Sequence, residues 1–210
     1  MSVRDRFLER MTVIPLGEDL LEGLYHGGQR PPAAVIVPPH PELGGSMDAP
    51  VCIELSWALS RAGHATLRFN FRGVGASTGQ RSGDLRNAED VSAAIDQLVA
   101  TEGPPQVCLA GYSFGAYVAA TVAARDSRVS YLVLVAPPTR SHAFDWPALA
   151  ARDLRWTVVF AELDTHCDLA QTSPQVLAAG GEAYLVAAAD HHFVCGLSEV
   201  GRLAAAAVAR

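Results

Sequence analysis

The sequence predicts a doubly wound α/β fold, with a mostly parallel sheet and helices on both faces. Short apolar runs alternate along the chain with segments whose apolar residues recur at helical spacing. The runs are continuously apolar, which indicates strands that are buried on both faces. Strands separated by helices pair in parallel through right-handed crossovers, and this arrangement places reactive loops at the carboxyl ends of the strands.

The elements follow in order along the chain. TVIPLGEDLLEGLYHGG predicts a short hairpin at the edge of the sheet. Six predicted core strands follow: AAVIV (33–37), ATLRFNF (65–71), VCLAG (107–111), YLVLVAP (131–137), WTVVFAE (156–162) and AYLVAAAD (183–190). Four predicted helices are 48–63, which ends at Gly63, then 87–103, one that ends near Arg125, and one from Ser198 onward.

Composition and charge exclude several classes of protein. The chain has 210 residues, of which 50% are hydrophobic and 18% charged, so we expect one globular domain over 1–210. A net charge of -6 without a basic stripe argues against a nucleic acid partner. No apolar run approaches the ~18 residues that span a bilayer, so no membrane partner is expected. We expect a monomer or a homodimer.

The cysteines and the first ten residues indicate the cellular compartment of the protein. Four cysteines stand singly along the chain: Cys52, Cys108, Cys167 and Cys195. They show no disulfide framework and no metal-type pairing, which predicts reduced thiols in a cytoplasmic protein. The opening MSVRDRFLER is charged and is not typical of a secretory signal.

The stretch LAGYSFGAYVAA holds Ser113 in a G-x-S-x-G pattern, between a predicted strand and a predicted helix. In that context the pattern is typical of a sharp turn that exposes a nucleophilic serine. The N–H of Phe114 would then be free to stabilise an oxyanion. The alternative is an ordinary serine that caps the helix.

A serine nucleophile needs a base and an orienting acid, which in this chain order are an Asp or Glu followed by a His. His191 follows the last predicted strand and is the predicted base, with His192 in reserve. Asp164 lies at the end of WTVVFAE and is the predicted acid, with Asp168 in reserve.

The second oxyanion donor is expected in the loop after the first core strand, where Glu42 or Leu43 is the predicted source of the N–H. His40 is interpreted as a residue that shapes this loop. The HCD sequence at 166–168 has no second ligand cluster at metal spacing, so no metal site and no cofactor are predicted.

Three ordered motifs carry a resemblance to a known family: HPELGGSM (40–47), LRFNFRGVGASTG (67–79) and LAGYSFGAYVA (109–119). Together they resemble a bacterial group of small, lidless α/β-hydrolases, which includes serine hydrolases and esterases and is related to the dienelactone hydrolases. The resemblance implies the α/β-hydrolase fold without a large cap domain. It also implies a triad of Ser113, Asp164 and His191.

The chain departs from the family pattern at two positions. Ala161 stands where the family has a glycine before its acid, which predicts a re-shaped loop. His192 stands where the family has its first aromatic after the base. Arg72 and Gly73 match a structural loop of the family and are interpreted as scaffold.

These observations predict a serine hydrolase that cleaves a small-molecule carboxylic ester or thioester through an acyl-enzyme. The alternatives are a thioesterase or acyltransferase for carrier- or CoA-bound acyl groups, and a catalytically inactive binding protein of the same fold.

Overall fold

The computed structural model describes residues 8–83 and 85–209. Its strands span Arg10–Leu16 (β1), Asp19–His26 (β2), Arg30–Val37 (β3), His64–Phe69 (β4), Val107–Tyr112 (β5), Val129–Val135 (β6), Arg155–Ala161 (β7) and Glu182–Val186 (β8). They form one sheet in the order β1-β2-β4-β3-β5-β6-β7-β8. The hairpin of β1 and β2 is antiparallel and joins β4 in antiparallel fashion, whereas the other neighbours are parallel.

Helices cover both faces of the sheet. Their bounds are Pro50–Arg61 (α1), Asn87–Glu102 (α2), Phe114–Ala123 (α3), Trp146–Ala150 (α4), Leu169–Ala178 (α5) and Leu197–Val208 (α6). The apolar residues of α1 and α6 pack into one core, and those of α2 to α5 pack into a second core on the opposite face. The mostly parallel, doubly wound fold predicted from the sequence is therefore confirmed.

The structure differs from the prediction at strand ends. The run AYLVAAAD predicted a strand to Asp190, but β8 ends at Val186. Ala188 adopts φ 56 and donates its N–H to the Glu162 carboxylate at 2.7 Å, so the chain turns away from the sheet. The alanines after Val186 belong to a turn, and their apolar character made the predicted strand too long.

The segment between β6 and β7 contains only the five-residue helix α4 in the part of the chain that the structure describes. A large cap domain is absent there, as the sequence predicted. Among these residues, no helix is long and apolar enough to cross a membrane. Most of the charged opening segment, residues 1–7, lies outside the described residues.

Candidate active site

Ser113 occupies a sharp turn between β5 and α3. Its backbone has φ 55 and ψ -122, a conformation that non-glycine residues rarely adopt. The Ser113 N–H donates to the carbonyl of Val135 at 2.9 Å, which ties the turn to the neighbouring strand β6. Such strained backbone concentrates at functional sites, where the surrounding structure holds it in place.

Two glycines allow this turn to form. A Cβ at Gly111 would collide with the carbonyl of Gly115, and a Cβ at Gly115 would collide with the carbonyls of Val37 and Pro38. Both glycines are thus required by close backbone approaches, one within the turn and one between α3 and the end of β3. The G-x-S-x-G pattern reflects these two contacts.

The structure brings the three residues of the predicted triad together. Ser113 Oγ lies 2.9 Å from His191 Nε2, and His191 Nδ1 lies 2.9 Å from Asp164 Oδ2. A carboxylate only accepts hydrogen bonds, so the His191 proton is assigned to Nδ1. Nε2 is then the acceptor of the Ser113 hydroxyl proton.

The acid is buried and fully engaged. The Asp164 side chain is 1% exposed, and its second oxygen accepts the His166 N–H at 2.8 Å. The Asp164 N–H donates to the carbonyl of Ala161 at 3.2 Å. Ala161 ends β7 in extended backbone, so the turn that carries the acid forms with alanine in place of the family's glycine.

The reserve candidates lie elsewhere. His192 is exposed, and its Nδ1 is 3.4 Å from the Tyr112 hydroxyl rather than near Ser113 Oγ. Asp168 caps α5 by accepting the N–H of Gln171 at 3.2 Å. Neither reserve candidate joins the hydrogen bonds between Ser113, His191 and Asp164.

Tyr112 is a site residue that the sequence reasoning missed. It ends the buried strand β5, and its hydroxyl donates to the carbonyl of His191 at 3.1 Å, which holds the histidine loop above the serine. Burial raises the pKa of this hydroxyl, so it stays protonated as a donor. The signal available was an aromatic hydroxyl inside an apolar strand, directly before the serine.

Phe114 begins α3, so its N–H has no acceptor within the helix and lies next to Ser113. The other predicted donors lie in a 3-10 helix, Pro41–Leu43. There the Glu42 N–H donates to His40 Nδ1 at 3.3 Å and the Leu43 N–H to the His40 carbonyl at 3.1 Å. His40 therefore shapes this loop, and the second oxyanion donor stays a prediction.

The HCD sequence does not form a joint cluster. The hydroxyl of Thr139 donates to Cys167 Sγ at 3.5 Å, Asp168 caps α5, and the His166 ring lies against His191 with centroids 4.4 Å apart. Among residues 8–83 and 85–209, no group of three His, Cys, Asp or Glu side chains could hold a metal ion.

A cleft of about 790 Å³ surrounds Ser113. This volume is in the range of pockets that bind drug-sized molecules. Its walls come from the loop after β3, the first turn of α1, the loops after β6 and β7, and the segment between β8 and α6. Ser113 and His191 both line it, so a small molecule in the cleft can reach the hydroxyl.

Comparisons with known proteins agree with this geometry. A family model for the α/β hydrolase fold matches residues 40–180. An uncharacterised protein of Rickettsia prowazekii is 33% identical over 137 residues, which are 63% of this chain and 58% of that protein. The chain thus aligns with less than two thirds of that relative's length.

Solved structures of α/β serine hydrolases are similar to this protein over almost its whole chain. An α/β serine hydrolase homologue from Coxiella burnetii has a TM-score of 0.81 and 29% identity, and the match covers 94% of this chain and 96% of that one. An α/β serine hydrolase without a lid, from Xanthomonas campestris, has a TM-score of 0.80 and 25% identity, with 96% and 94% covered. With its serine on the turn after β5 and these matches along most of its length, the chain belongs to the α/β hydrolase fold family.

Proposed function

We propose that this protein is a serine hydrolase that cleaves carboxylic esters or thioesters through an acyl-enzyme on Ser113. The observation that carries the proposal is the continuous hydrogen bonding from Ser113 Oγ through His191 to the buried carboxylate of Asp164. This arrangement activates a serine hydroxyl, which is otherwise a weak nucleophile.

The proposed reaction has two steps. His191 Nε2 takes the Ser113 proton as Oγ attacks the carbonyl carbon, and it then gives that proton to the departing alcohol or thiol. The acyl group remains on Oγ as an ester. A water molecule then attacks this ester with His191 again as base, which releases the acid and restores the hydroxyl.

Two groups stabilise the charges that develop. Asp164 Oδ2 lies 2.9 Å from Nδ1 of His191 and stabilises its imidazolium form, and the Phe114 N–H, at the start of α3 next to Ser113, would donate to the oxyanion. A second N–H from the loop would complete the oxyanion hole once that of Glu42 or Leu43 leaves its acceptor on His40. Each such donor contributes about 3 to 4 kcal/mol to transition-state binding in comparable enzymes.

The four cysteines, three buried and one exposed, are free thiols. Free thiols fit a reducing compartment, which supports a cytoplasmic location.

Replacement of Ser113 by alanine tests the proposal. We expect hydrolysis of p-nitrophenyl acetate by Ser113→Ala to fall on the order of 10⁴-fold or more, because the nucleophile is removed. Ser127→Ala, at an exposed turn before β6, is the matched control and should keep full activity. Undiminished turnover by Ser113→Ala would reject the mechanism.

A fluorophosphonate probe separates an enzyme from an inactive binding protein of the same fold. Ser113 Oγ attacks phosphorus, fluoride leaves, and the proton passes to His191. Mass spectrometry should find the probe on the peptide that contains Ser113, and on no peptide of Ser113→Ala. An unlabelled wild-type protein would favour the inactive alternative.

A further inference from the structure

The loop between β3 and α1 forms one wall of the cleft around Ser113. The His40 carbonyl accepts the N–H groups of Leu43 at 3.1 Å and Gly45 at 2.9 Å, so residues 40–45 fold into one compact turn. This turn contains both predicted sources of the second oxyanion donor. Its distance from the serine therefore depends on how the two ends of the loop are attached.

Met47, near the second end of the loop, is held by two side chains from β4 and the residue that follows it. The Met47 N–H donates to Asn70 Oδ1 at 2.8 Å, and the Met47 carbonyl accepts from Arg68 Nη1 at 2.9 Å. Asn70 is 3% exposed and Arg68 is 6% exposed, so water has little access to either contact. Both backbone groups of Met47 are thus bound by residues of the neighbouring strand rather than by its own loop.

Glu22 of β2 fixes the direction of the Asn70 amide. Asn70 Nδ2 donates to Glu22 Oε2 at 2.8 Å, and a carboxylate can only accept. The amide nitrogen therefore faces Glu22, which leaves Oδ1 to accept from Met47. The backbone of Asn70 is held as well, because its N–H donates to the Glu22 carbonyl and its carbonyl accepts the Ser77 hydroxyl, both at 2.9 Å. Asn70 thus connects the edge hairpin with the cleft wall.

We propose that Asn70 is a positioning residue for the reaction at Ser113. This inference rests on the proposed function and names a residue outside the triad on which the oxyanion hole depends. Asn70 is not among the described residues that line the cleft, so it acts through Met47 and not on the substrate. By fixing Met47 it keeps the turn at 40–45 beside the cleft, where an N–H that leaves its acceptor on His40 can reach the oxyanion.

Loss of the hydrogen bond from Met47 should affect the transition state more than the bound substrate, because the oxyanion forms only during the reaction. Asn70→Ala removes the acceptor of the Met47 N–H. We expect its kcat for p-nitrophenyl acetate to fall on the order of 30- to 100-fold, since a displaced loop no longer presents the donor. KM should change less than about threefold, because substrate binding does not use the oxyanion contact.

Asn70→Asp separates positioning from a simple loss of packing. The variant keeps an acceptor for the Met47 N–H, but the new carboxyl can donate to Glu22 only while the two carboxyls share a proton. Two carboxyls at this distance hold a shared proton to a higher pH than either would alone. The loop should therefore be held at low pH and released as the pH rises.

The pH dependence of this variant relative to wild type is the decisive readout. Arg68, the other charge close to the substituted position, is already paired with Glu9 at 2.7 Å and with Asp48 at 2.6 Å. We expect the ratio of kcat in Asn70→Asp to kcat in wild type to fall at least about tenfold from pH 6 to pH 9, as the shared proton is lost. The ratio for Asn70→Ala should not change with pH, and Glu22→Gln added to Asn70→Asp should remove the dependence.

A destabilised variant elsewhere in the core is the matched control. Thermal unfolding, followed by circular dichroism, sets an assay temperature at which all variants are folded. Leu98→Ala, at a fully buried position of α2, should lower the unfolding temperature but keep the wild-type kcat. If Asn70→Ala does not fold, the pH dependence of Asn70→Asp decides between positioning and packing.

Two results would overturn the inference: a wild-type kcat in Asn70→Ala, or a ratio for Asn70→Asp that is the same at pH 6 and pH 9. Either result, with hydrolysis that still depends on Ser113, would leave the proposed function intact. Activity that survives in Ser113→Ala would instead reject the proposed function, and this inference with it.

Discussion

At the scale of single residues, the serine was predictable and its partners were less so. The G-x-S-x-G pattern arises from backbone collisions within a few residues of Ser113, so it is visible in the local sequence. His191 and His192 lie in the same loop, and the direction of each side chain decides which of them is the base. Tyr112, on a strand far away in the sequence, holds this loop through its hydrogen bond to the His191 carbonyl. No local sequence pattern indicates these side-chain directions. The choice between Asp164 and Asp168 as the acid is likewise not indicated by any local pattern.

Asparagine substitutions distinguish the two carboxylates. Asp164→Asn should lower kcat on the order of 10⁴-fold with little loss of folding, because the amide no longer holds His191 in the required tautomer. Asp168→Asn preserves a cap on α5 and should keep nearly full activity. Hydrolysis of p-nitrophenyl acetate by the purified variants is the measurement. Comparable losses in both variants would contradict the assignment of Asp164.

At the scale of elements, continuous apolar runs located every core strand, because burial on both faces leaves a direct trace in the sequence. Turns that depend on tertiary contacts were not predictable. β8 ends early because the carboxylate of Glu162, just after β7, accepts the N–H of Ala188. The partner that bends the chain there lies at the end of another strand, far from Ala188 in the sequence.

The approach of α3 to β3 is an element-scale contact that Gly115 makes possible. Gly115→Ala should destabilise the protein and lower kcat/KM at least about 100-fold, because the new methyl group displaces the carbonyls of Val37 and Pro38 and the loop after them. Gly27→Ala is the matched control, since its Cβ would meet only the Tyr25 side chain. Thermal unfolding and ester hydrolysis measure both effects. A Gly115→Ala enzyme with normal activity would show that this contact does not position the site.

At the scale of the whole molecule, the parallel order of the core strands followed from alternation, but the pairing of the hairpin with β4 did not. That pairing, like the pairing of β4 with β3 on its other side, joins segments far apart in the chain. The buried side chain of His64 connects β4 with β3. His64 begins β4, is 1% exposed, and its Nδ1 lies 3.1 Å and 3.0 Å from the carbonyls of Arg30 and Pro32 at the start of β3.

His64 should make the whole fold sensitive to mild acid. Burial, and to a smaller extent the charge of Arg30, lowers the pKa of His64, although the two carbonyls act in the opposite direction. The unfolded chain therefore binds a proton near the ordinary histidine pKa of about 6.5 while the folded chain resists it. The stability that His64 contributes is complete above that value and is lost as the pH falls below it, by up to about 1.4 kcal/mol per pH unit.

Urea unfolding at pH 7.5 and pH 5.5 measures this loss. The free energy of unfolding of His64→Asn, whose amide can still donate to the carbonyls of β3, should fall by about 1 kcal/mol less between the two pH values than that of the wild type. His192→Gln, at an exposed position, should keep the wild-type dependence. Burial also lowers the pKa of His142, so the difference between variant and wild type isolates His64. The same pH dependence in wild type and His64→Asn would mean that protonation of this buried ring does not separate β3 from β4.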